Sequence, residues 1–178
     1  MEITRIRMLR GPNLWSRHTA LEAIVSCDES EHSIDSIPQF ETKIRERFPQ
    51  LGSMRRGGHN EIFSLAHALE HAALGLQAQA GCPVTFIRTV QTVDVGVYQV
   101  VIEYTEEVVG RMAFDFAFTL ILTTLNDVPF DLAAALSELE ALYEDVRLGP
   151  STGSIVVATV QRNIPYRRMT EGSMMQFG

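Results

Sequence analysis

The sequence is poor in lysine and in cysteine. Lys43 is the only lysine among 178 residues, and fourteen arginines carry the remaining side-chain positive charge. Arginine grips carboxylates through a planar fork, so the bias suits an acidic ligand, although an arginine-rich genome is the simpler explanation. The two cysteines, Cys27 and Cys82, form neither a CxxC pair nor a disulfide framework, which indicates thiols in a reducing compartment.

A long apolar run, a cationic leader and a basic charge balance are missing as well. The longest apolar run, residues 116–125, is far short of the ~20 residues that span a bilayer. No cationic segment followed by an apolar run opens the chain, so no signal peptide is indicated. The net charge of −7 argues against nucleic-acid binding, which needs a basic face. We therefore expect a cytoplasmic protein with neither a membrane nor a nucleic acid as partner.

The patterns that are present predict an α+β domain. Alternating or β-branched stretches indicate four strands, the last two paired, at residues 1–9, 21–27, 84–90 and 97–105. Helical spacing of apolar residues predicts helices at residues 39–48, from residue 64 to the Gly81–Pro83 stop, and at 106–125 and 132–146. We expect a small mixed or antiparallel sheet covered by helices.

A boundary at Leu148-Gly149-Pro150 divides the chain into a domain of residues 1–147 and a segment of residues 148–178. In the second part we predict a helix capped by Ser151 or Thr152, followed by two short strands. This short α/β stub resembles the beginning of a further domain, because no closing element follows the two strands.

His67, Glu70 and His71 form an HxxEH motif in a helix that is otherwise almost entirely Ala and Leu. At 3.6 residues per turn the three side chains lie on one face. A helix that is apolar nearly all round is buried, and buried polar groups need partners. Zn²⁺ is one such partner: the two imidazoles would bind the ion and Glu70 would deprotonate its water. The alternative is a hydrogen-bonded or solvated face without a metal.

A complete zinc site of the inverted zincin order needs a third ligand, a carboxylate from a later element. Glu103 is one candidate, because a lone carboxylate inside the apolar strand is costly to bury. Glu107 is the other, in the first turn of the next helix, where it would also favour the helix dipole. The sequence leaves the choice between them open.

Several stretches together resemble the N-terminal domain of cyanophycin synthetase. They occur in that family's order and span nearly the whole chain: LRGPNLWS (9–16), HALEHAALGLQ (67–77), FIRT (86–89), VYQVVIEYTEEVVGRMA (97–113) and LGPSTGSIVVATVQRNIPYRRMTEGSMMQFG (148–178). In the family such a domain precedes an ATP-grasp domain and a ligase domain, which together build a poly-aspartate backbone with arginine on each side chain.

The resemblance implies that residues 148–178 lead into an ATP-grasp domain that the chain itself lacks. The chain has no GxxxxGK[ST] loop and no room for an ATP site, so the expected role is to hold the polymer cyanophycin for the ATP-grasp and ligase domains. In some members the HxxEH helix is also a zinc-peptidase-like site that cuts polymer into primers. A homo-oligomer is a further partner that the sequence leaves open.

One departure from the family pattern concerns Gly75, where the family commonly has Glu. Either that Glu helps to bind metal or substrate, or it is an exposed helix residue whose replacement costs about 1 kcal/mol of helix propensity.

Five residues are candidates for substrate binding. Arg88 matches a Gly-x-Arg-Thr pattern of the family and would grip a polymer carboxylate, unless it pairs with Glu103 or Glu107. Arg55 and Arg56 are either polymer contacts or solvated loop charges. Asn13 and Trp15 follow a Gly-Pro turn and would form a binding ledge, although burial of Trp15 in the core is the alternative.

Overall fold

The computed structural model describes residues 1–51, 63–170 and 172–178. The strands of this part are β1 (Glu2–Leu9), β2 (Ala20–Ser26), β3 (Ile87–Gln91), β4 (Val97–Glu103), β5 (Tyr166–Arg168) and β6 (Met175–Phe177). The helices are α1 (Phe40–Arg47), α2 (Leu65–Gln79), α3 (Glu107–Leu125), α4 (Leu132–Val146) and α5 (Pro150–Gln161). Two single turns of 3-10 helix, Glu29–Glu31 and Ile34–Ser36, lie in the acidic segment after β2.

The first four strands form one antiparallel sheet in the order β1-β2-β4-β3. The last two strands, which follow α5 in the chain, form a separate antiparallel pair. The hairpin predicted for residues 84–105 is present as β3 and β4. The predicted α+β class, an antiparallel sheet covered by helices and followed by a short α/β segment, is confirmed.

The two faces of the sheet have different surroundings. Leu21 lies opposite Ile102 and Ala23 opposite Val100, and all four side chains belong to the core. The helix α2 packs against β3 and β4, and α3 packs against α2. Since successive side chains of a strand point to opposite sides, the residues between these core positions form a second face. We call it the outer face.

The apolar helices α2 and α3 form the centre of the molecule. Small and branched side chains on α2, among them Ala68, Leu69 and Leu76, are fully buried. The 19-residue α3 is long and apolar enough to cross a membrane by length and composition. However, Phe114 and Ile121 of α3 are fully buried in the same core as α2, so we interpret α3 as a core helix.

The C-terminal segment begins differently from the sequence expectation. Gly149 is the N-cap of α5 and Pro150 its first residue, so the cap predicted at Ser151 or Thr152 is wrong. Proline suits this position because its fixed φ angle matches the helix and its missing N–H has no partner to lose there. The division into residues 1–147 and 148–178 stays a prediction.

Candidate functional site

The helix α2 begins with a capping box that uses the first histidine of the HxxEH motif. Ser64 is the N-cap, and its backbone N–H donates to Nδ1 of His67 over 3.2 Å. The Ser64 hydroxyl lies 2.9 Å from the same nitrogen. Reciprocal bonds between the N-cap residue and the third helical residue satisfy backbone donors that the helix itself leaves open. His67 therefore has a role in starting the helix.

The surroundings of His67 keep its imidazole neutral. Its ring lies 4.7 Å from that of Phe63 and packs edge-on against Tyr98 at 5.9 Å, both measured between ring centroids. Burial lowers the pKa of His67 from 6.5 to about 4, because the charged imidazolium loses its hydration there. At neutral pH, Nδ1 is thus an acceptor and Nε2 carries the proton.

Glu70 and His71 lie on the same side of α2 as His67, as the helical spacing predicts. Glu70 is only 4% exposed, and its Oε2 accepts a hydrogen bond of 2.7 Å from the hydroxyl of Thr89 on β3. The ring of His71 is half-buried and lies 5.7 Å from that of Phe63. The three motif residues therefore form a polar strip at the junction of α2, Phe63 and β3.

The two candidate third ligands are engaged elsewhere. Oε2 of Glu103 accepts hydrogen bonds of 2.8 Å from the backbone N–H groups of Thr85 and Phe86, which fixes the chain entering β3. Both carboxylate oxygens of Glu107 accept from the guanidinium of Arg10, at 2.6 and 2.8 Å. Those bonds to Arg10 lower the pKa of Glu107.

Zinc binding would require His67 to change the hydrogen bonds that it makes with Ser64. Zinc at Nε2 of His67 would require a proton on Nδ1, and the Ser64 backbone N–H would then lose its acceptor. Over residues 1–51, 63–170 and 172–178, no three His, Cys, Asp or Glu side chains are grouped so as to hold a metal ion. The zinc site stays a prediction.

Gly75 is explained by packing on α1. An ideal Cβ at this position would lie 3.2 Å from Cε1 and Cζ of Phe48 and 3.5 Å from Cδ1 of Leu51. Phe48 is fully buried. Gly75 thus marks a close contact between α2 and the end of α1, which neither alternative from the sequence had included.

Trp15 and Arg88, proposed separately from the sequence, meet on the outer face. The guanidinium carbon of Arg88 lies 5.7 Å from the centroid of the Trp15 ring. The predicted alternative for Arg88, an ion pair with Glu103 or Glu107, is wrong, because those carboxylates bind the groups named above. Trp15 is half-buried over the sheet rather than in the main core.

Asn13 shapes the loop that presents Trp15. Its amide nitrogen donates to the carbonyl groups of Gly11 and His18, at 3.0 and 2.9 Å. Its side-chain oxygen accepts from the backbone N–H groups of Trp15 and Ser16, at 2.9 and 3.0 Å. These four bonds link one side chain to four backbone groups of the loop, so Asn13 has a positioning role. Arg55 and Arg56 lie outside the described residues.

An ion pair next to Trp15, whose carboxylate is buried, was not predicted from the sequence. Glu22 on β2 is 3% exposed and accepts from Nε and Nη2 of Arg7 on β1, and its Oε2 accepts a 3.2 Å bond from Trp15 Nε1. Burial alone would raise the pKa of Glu22, but the bonds from Arg7 and Trp15 outweigh it and the pKa is lowered. The available signal was one carboxylate inside the apolar strand LEAIVS, which demands a cation partner.

Comparison with known proteins identifies the family of the chain. Residues 23–126 match the family model described as a cyanophycin synthase-like N-terminal domain. The chain is 34% identical over 193 aligned positions to the cyanophycin synthetase of Trichormus variabilis and 35% identical to that of Geminocystis herdmanii. The one from Crocosphaera subtropica is 33% identical.

The chain therefore belongs to the cyanophycin synthase-like N-terminal domain family, as the resemblance indicated. The alignments cover 100% of this chain but only 21% or 22% of these three relatives. The chain spans about a fifth of the length of the curated relatives it matches.

Proposed function

We propose that this domain holds cyanophycin during its ATP-dependent synthesis by ATP-grasp and ligase domains, in the cytoplasm. The observation that supports this proposal is the contact between the Trp15 ring and the Arg88 guanidinium on the outer face of the sheet. An aromatic ring beside an exposed arginine suits a ligand with both apolar and charged parts, as an arginine-bearing poly-aspartate has. Family membership supports the same role, since the relatives are cyanophycin synthetases.

The role of the HxxEH strip in this proposal is structural. His67 accepts a backbone hydrogen bond of the helix cap, and Glu70 accepts one from Thr89. Polymer binding should therefore survive His67→Gln, because Gln at the third helical position can also accept the N-cap N–H. Binding of the purified domain to immobilised cyanophycin, with bovine albumin as the negative control, tests the proposal. Equal retention of the domain on cyanophycin and on uncoated resin would refute it.

A second candidate function is a zinc-dependent hydrolase that shortens cyanophycin chains to primers. The observation favouring it is the placement of His67, Glu70 and His71 on one side of α2, with both imidazole rings against Phe63. Elemental analysis after purification without chelators tests metal binding. Incubation with cyanophycin and zinc, beside Glu70→Gln, tests cleavage.

Chain length separates the two candidates. The hydrolase predicts shorter polymer with the wild-type domain and unchanged polymer with Glu70→Gln. The holding role predicts unchanged polymer with both proteins and equal binding by both. Shortening that depends on Glu70 would establish the hydrolase and leave holding as an accessory property.

A further inference from the structure

We infer that the outer face of the sheet binds the carboxylates of an extended carboxylate-bearing chain, with Arg88 and the β1 arginines Arg5 and Arg7 as the binding groups. The inference deepens the proposed function and rests on it for the identity of the polymer. The chemical claim, a carboxylate-bearing chain laid across the strands, is tested without cyanophycin.

The sheet register places the charged side chains in two neighbouring rows across the strands. In the first row Arg7 lies opposite Glu22, Glu22 opposite Val101, and Val101 opposite Arg88. This row therefore has an arginine at each end and passes over all four strands.

In the second row Arg5 lies opposite Ile24, Ile24 opposite Gln99, and Gln99 opposite Val90. Rows two residues apart share one face of a sheet, so Arg5 and Arg7 stand side by side at the β1 edge. Val90 is 37% exposed and stands beside Arg88 at the β3 edge.

The charges within these two rows do not cancel. Glu22 is the one carboxylate in the two rows, and it is engaged by Arg7 and by Trp15. Arg5 only approaches Glu22, at 3.7 Å, and its side chain is 56% exposed. Arg88 is exposed, and its guanidinium contacts the Trp15 ring. Within these two rows, three arginines stand against one buried carboxylate, on a protein whose net charge is −7. The flanking rows of the face hold Glu2 and Glu103, and Glu103 is bound by two backbone N–H groups.

Trp15 adds a rigid platform between the two arginine groups. Its indole donates to Glu22 and lies beside the Arg88 guanidinium, so the ring is held from both sides. Leu14, the preceding residue, is 99% exposed. Stacking against an aromatic ring orients a guanidinium so that its edge N–H groups remain open to a planar carboxylate. The arginine is preorganised and little side-chain entropy is lost on binding.

The spacing of the arginines predicts the length of the ligand. Strands lie about 4.8 Å apart, so three intervals separate Arg7 and Arg88 by about 14 Å at the backbone. Every second side chain of an extended peptide points the same way, about 6.8 Å along the chain. Carboxylates four residues apart on an extended chain are separated by two such steps, which matches the distance of about 14 Å between the two ends of the row. A single aspartate, or a dipeptide, reaches one end only.

The test measures the binding of fluorescently labelled aspartate oligomers to the whole chain by fluorescence anisotropy at low ionic strength. We expect a ten-residue oligomer to bind and a dipeptide to bind at least about tenfold more weakly, because bridging converts the second contact into an intramolecular one. Arg88→Gln should weaken the ten-residue oligomer by about tenfold or more, the effect of one lost charge-assisted contact. Added salt should weaken the wild-type interaction.

Arg162→Gln is the matched control, since Arg162 is an exposed arginine at the C-cap of α5 that donates to the Ala158 carbonyl, and the change in net charge is the same. An equal loss of affinity for Arg162→Gln and Arg88→Gln would overturn the inference. It would also be overturned if an arginine oligomer bound the wild-type chain as tightly as the aspartate oligomer does. If Arg88→Gln retains the wild-type circular dichroism spectrum and wild-type affinity for the aspartate oligomer, the site is refuted. Continued retention on cyanophycin in that case leaves the proposed function standing.

Discussion

Gly75 offers a sharp test of how α2 packs. The substitution Gly75→Ala adds one methyl group to the interior of a 15-residue helix. That methyl would lie 3.2 Å from two ring carbons of Phe48, closer than ordinary van der Waals contact, and the ring is fully buried. Two opposing effects therefore act on the free energy of unfolding.

The magnitudes of the two effects decide the sign. Replacing Gly by Ala inside a helix stabilises it by about 1 kcal/mol. Forcing an extra methyl into a packed core costs about 1–3 kcal/mol, because a rigid ring and its neighbours must shift. With Phe48 fully buried we place the cost near 2 kcal/mol, so Gly75→Ala should lower the free energy of unfolding by about 1 kcal/mol. The larger Gly75→Glu, which restores the residue common in the family pattern, should be more destabilising.

A double-mutant cycle isolates the contact. Phe48→Leu shortens the side chain that approaches position 75, so in this background Gly75→Ala should regain its helix-propensity benefit of about 1 kcal/mol. Urea unfolding followed by circular dichroism gives the four free energies. A coupling energy near zero, with Gly75→Ala stabilising both backgrounds alike, would show that Phe48 is not the reason for glycine here.

Three further expectations concern groups whose environment differs between folded and unfolded chains. The pKa of His67 is about 4 in the folded chain and 6.5 in the unfolded chain. Between these two values the unfolded chain binds a proton at this imidazole and the folded chain does not. Stability should fall by about 2 kcal/mol between pH 7 and pH 5 in metal-free protein, and His67→Gln should remove that part of the pH dependence in urea titrations. Glu103→Ala leaves two backbone N–H groups before β3 without their acceptor and should cost about 2 kcal/mol or more in urea unfolding, whereas a loss below about 0.5 kcal/mol would contradict that role. Burial raises the pKa of Cys27 and of Cys82 to about 11, so both thiols should react with a disulfide reagent at pH 8 only after denaturant is added.

Local patterns predicted the elements well where amphipathic spacing and stop signals coincide. The predicted helix at residues 132–146 has the same bounds as α4, because Asp131 caps it by accepting from the Ala134 N–H over 2.9 Å. The strand predicted at residues 97–105 ends two residues earlier, at Glu103. The turn of the chain toward α3 begins there, and the apolar pattern of the following residues does not reveal it.

Partners across the sheet could not be predicted in the same way. The sequence offered Glu103 and Glu107 as ion-pair partners of Arg88. The fold decided otherwise, since the loop before β2 brings Trp15 against Arg88, and Glu107 binds Arg10. Pairing by charge alone ignores that a carboxylate can be consumed by backbone N–H groups, as Glu103 is.

The same ambiguity applies to the motif that first suggested a metal. Ser64 and His67 have the spacing of a capping box, in which the third helical residue returns a bond to the N-cap. His67 and His71 have the spacing of two zinc ligands. A histidine at the third position of a helix satisfies both patterns, and its Nδ1 cannot both accept the Ser64 N–H and carry the proton that a zinc-bound Nε2 requires. Metal binding and helix capping are thus competing states of one imidazole. Zinc should therefore bind more tightly to a Ser64→Pro variant, in which no N-cap N–H exists to hold Nδ1. Isothermal titration with zinc checks this expectation, and unchanged zinc affinity in a folded Ser64→Pro protein would contradict the competition.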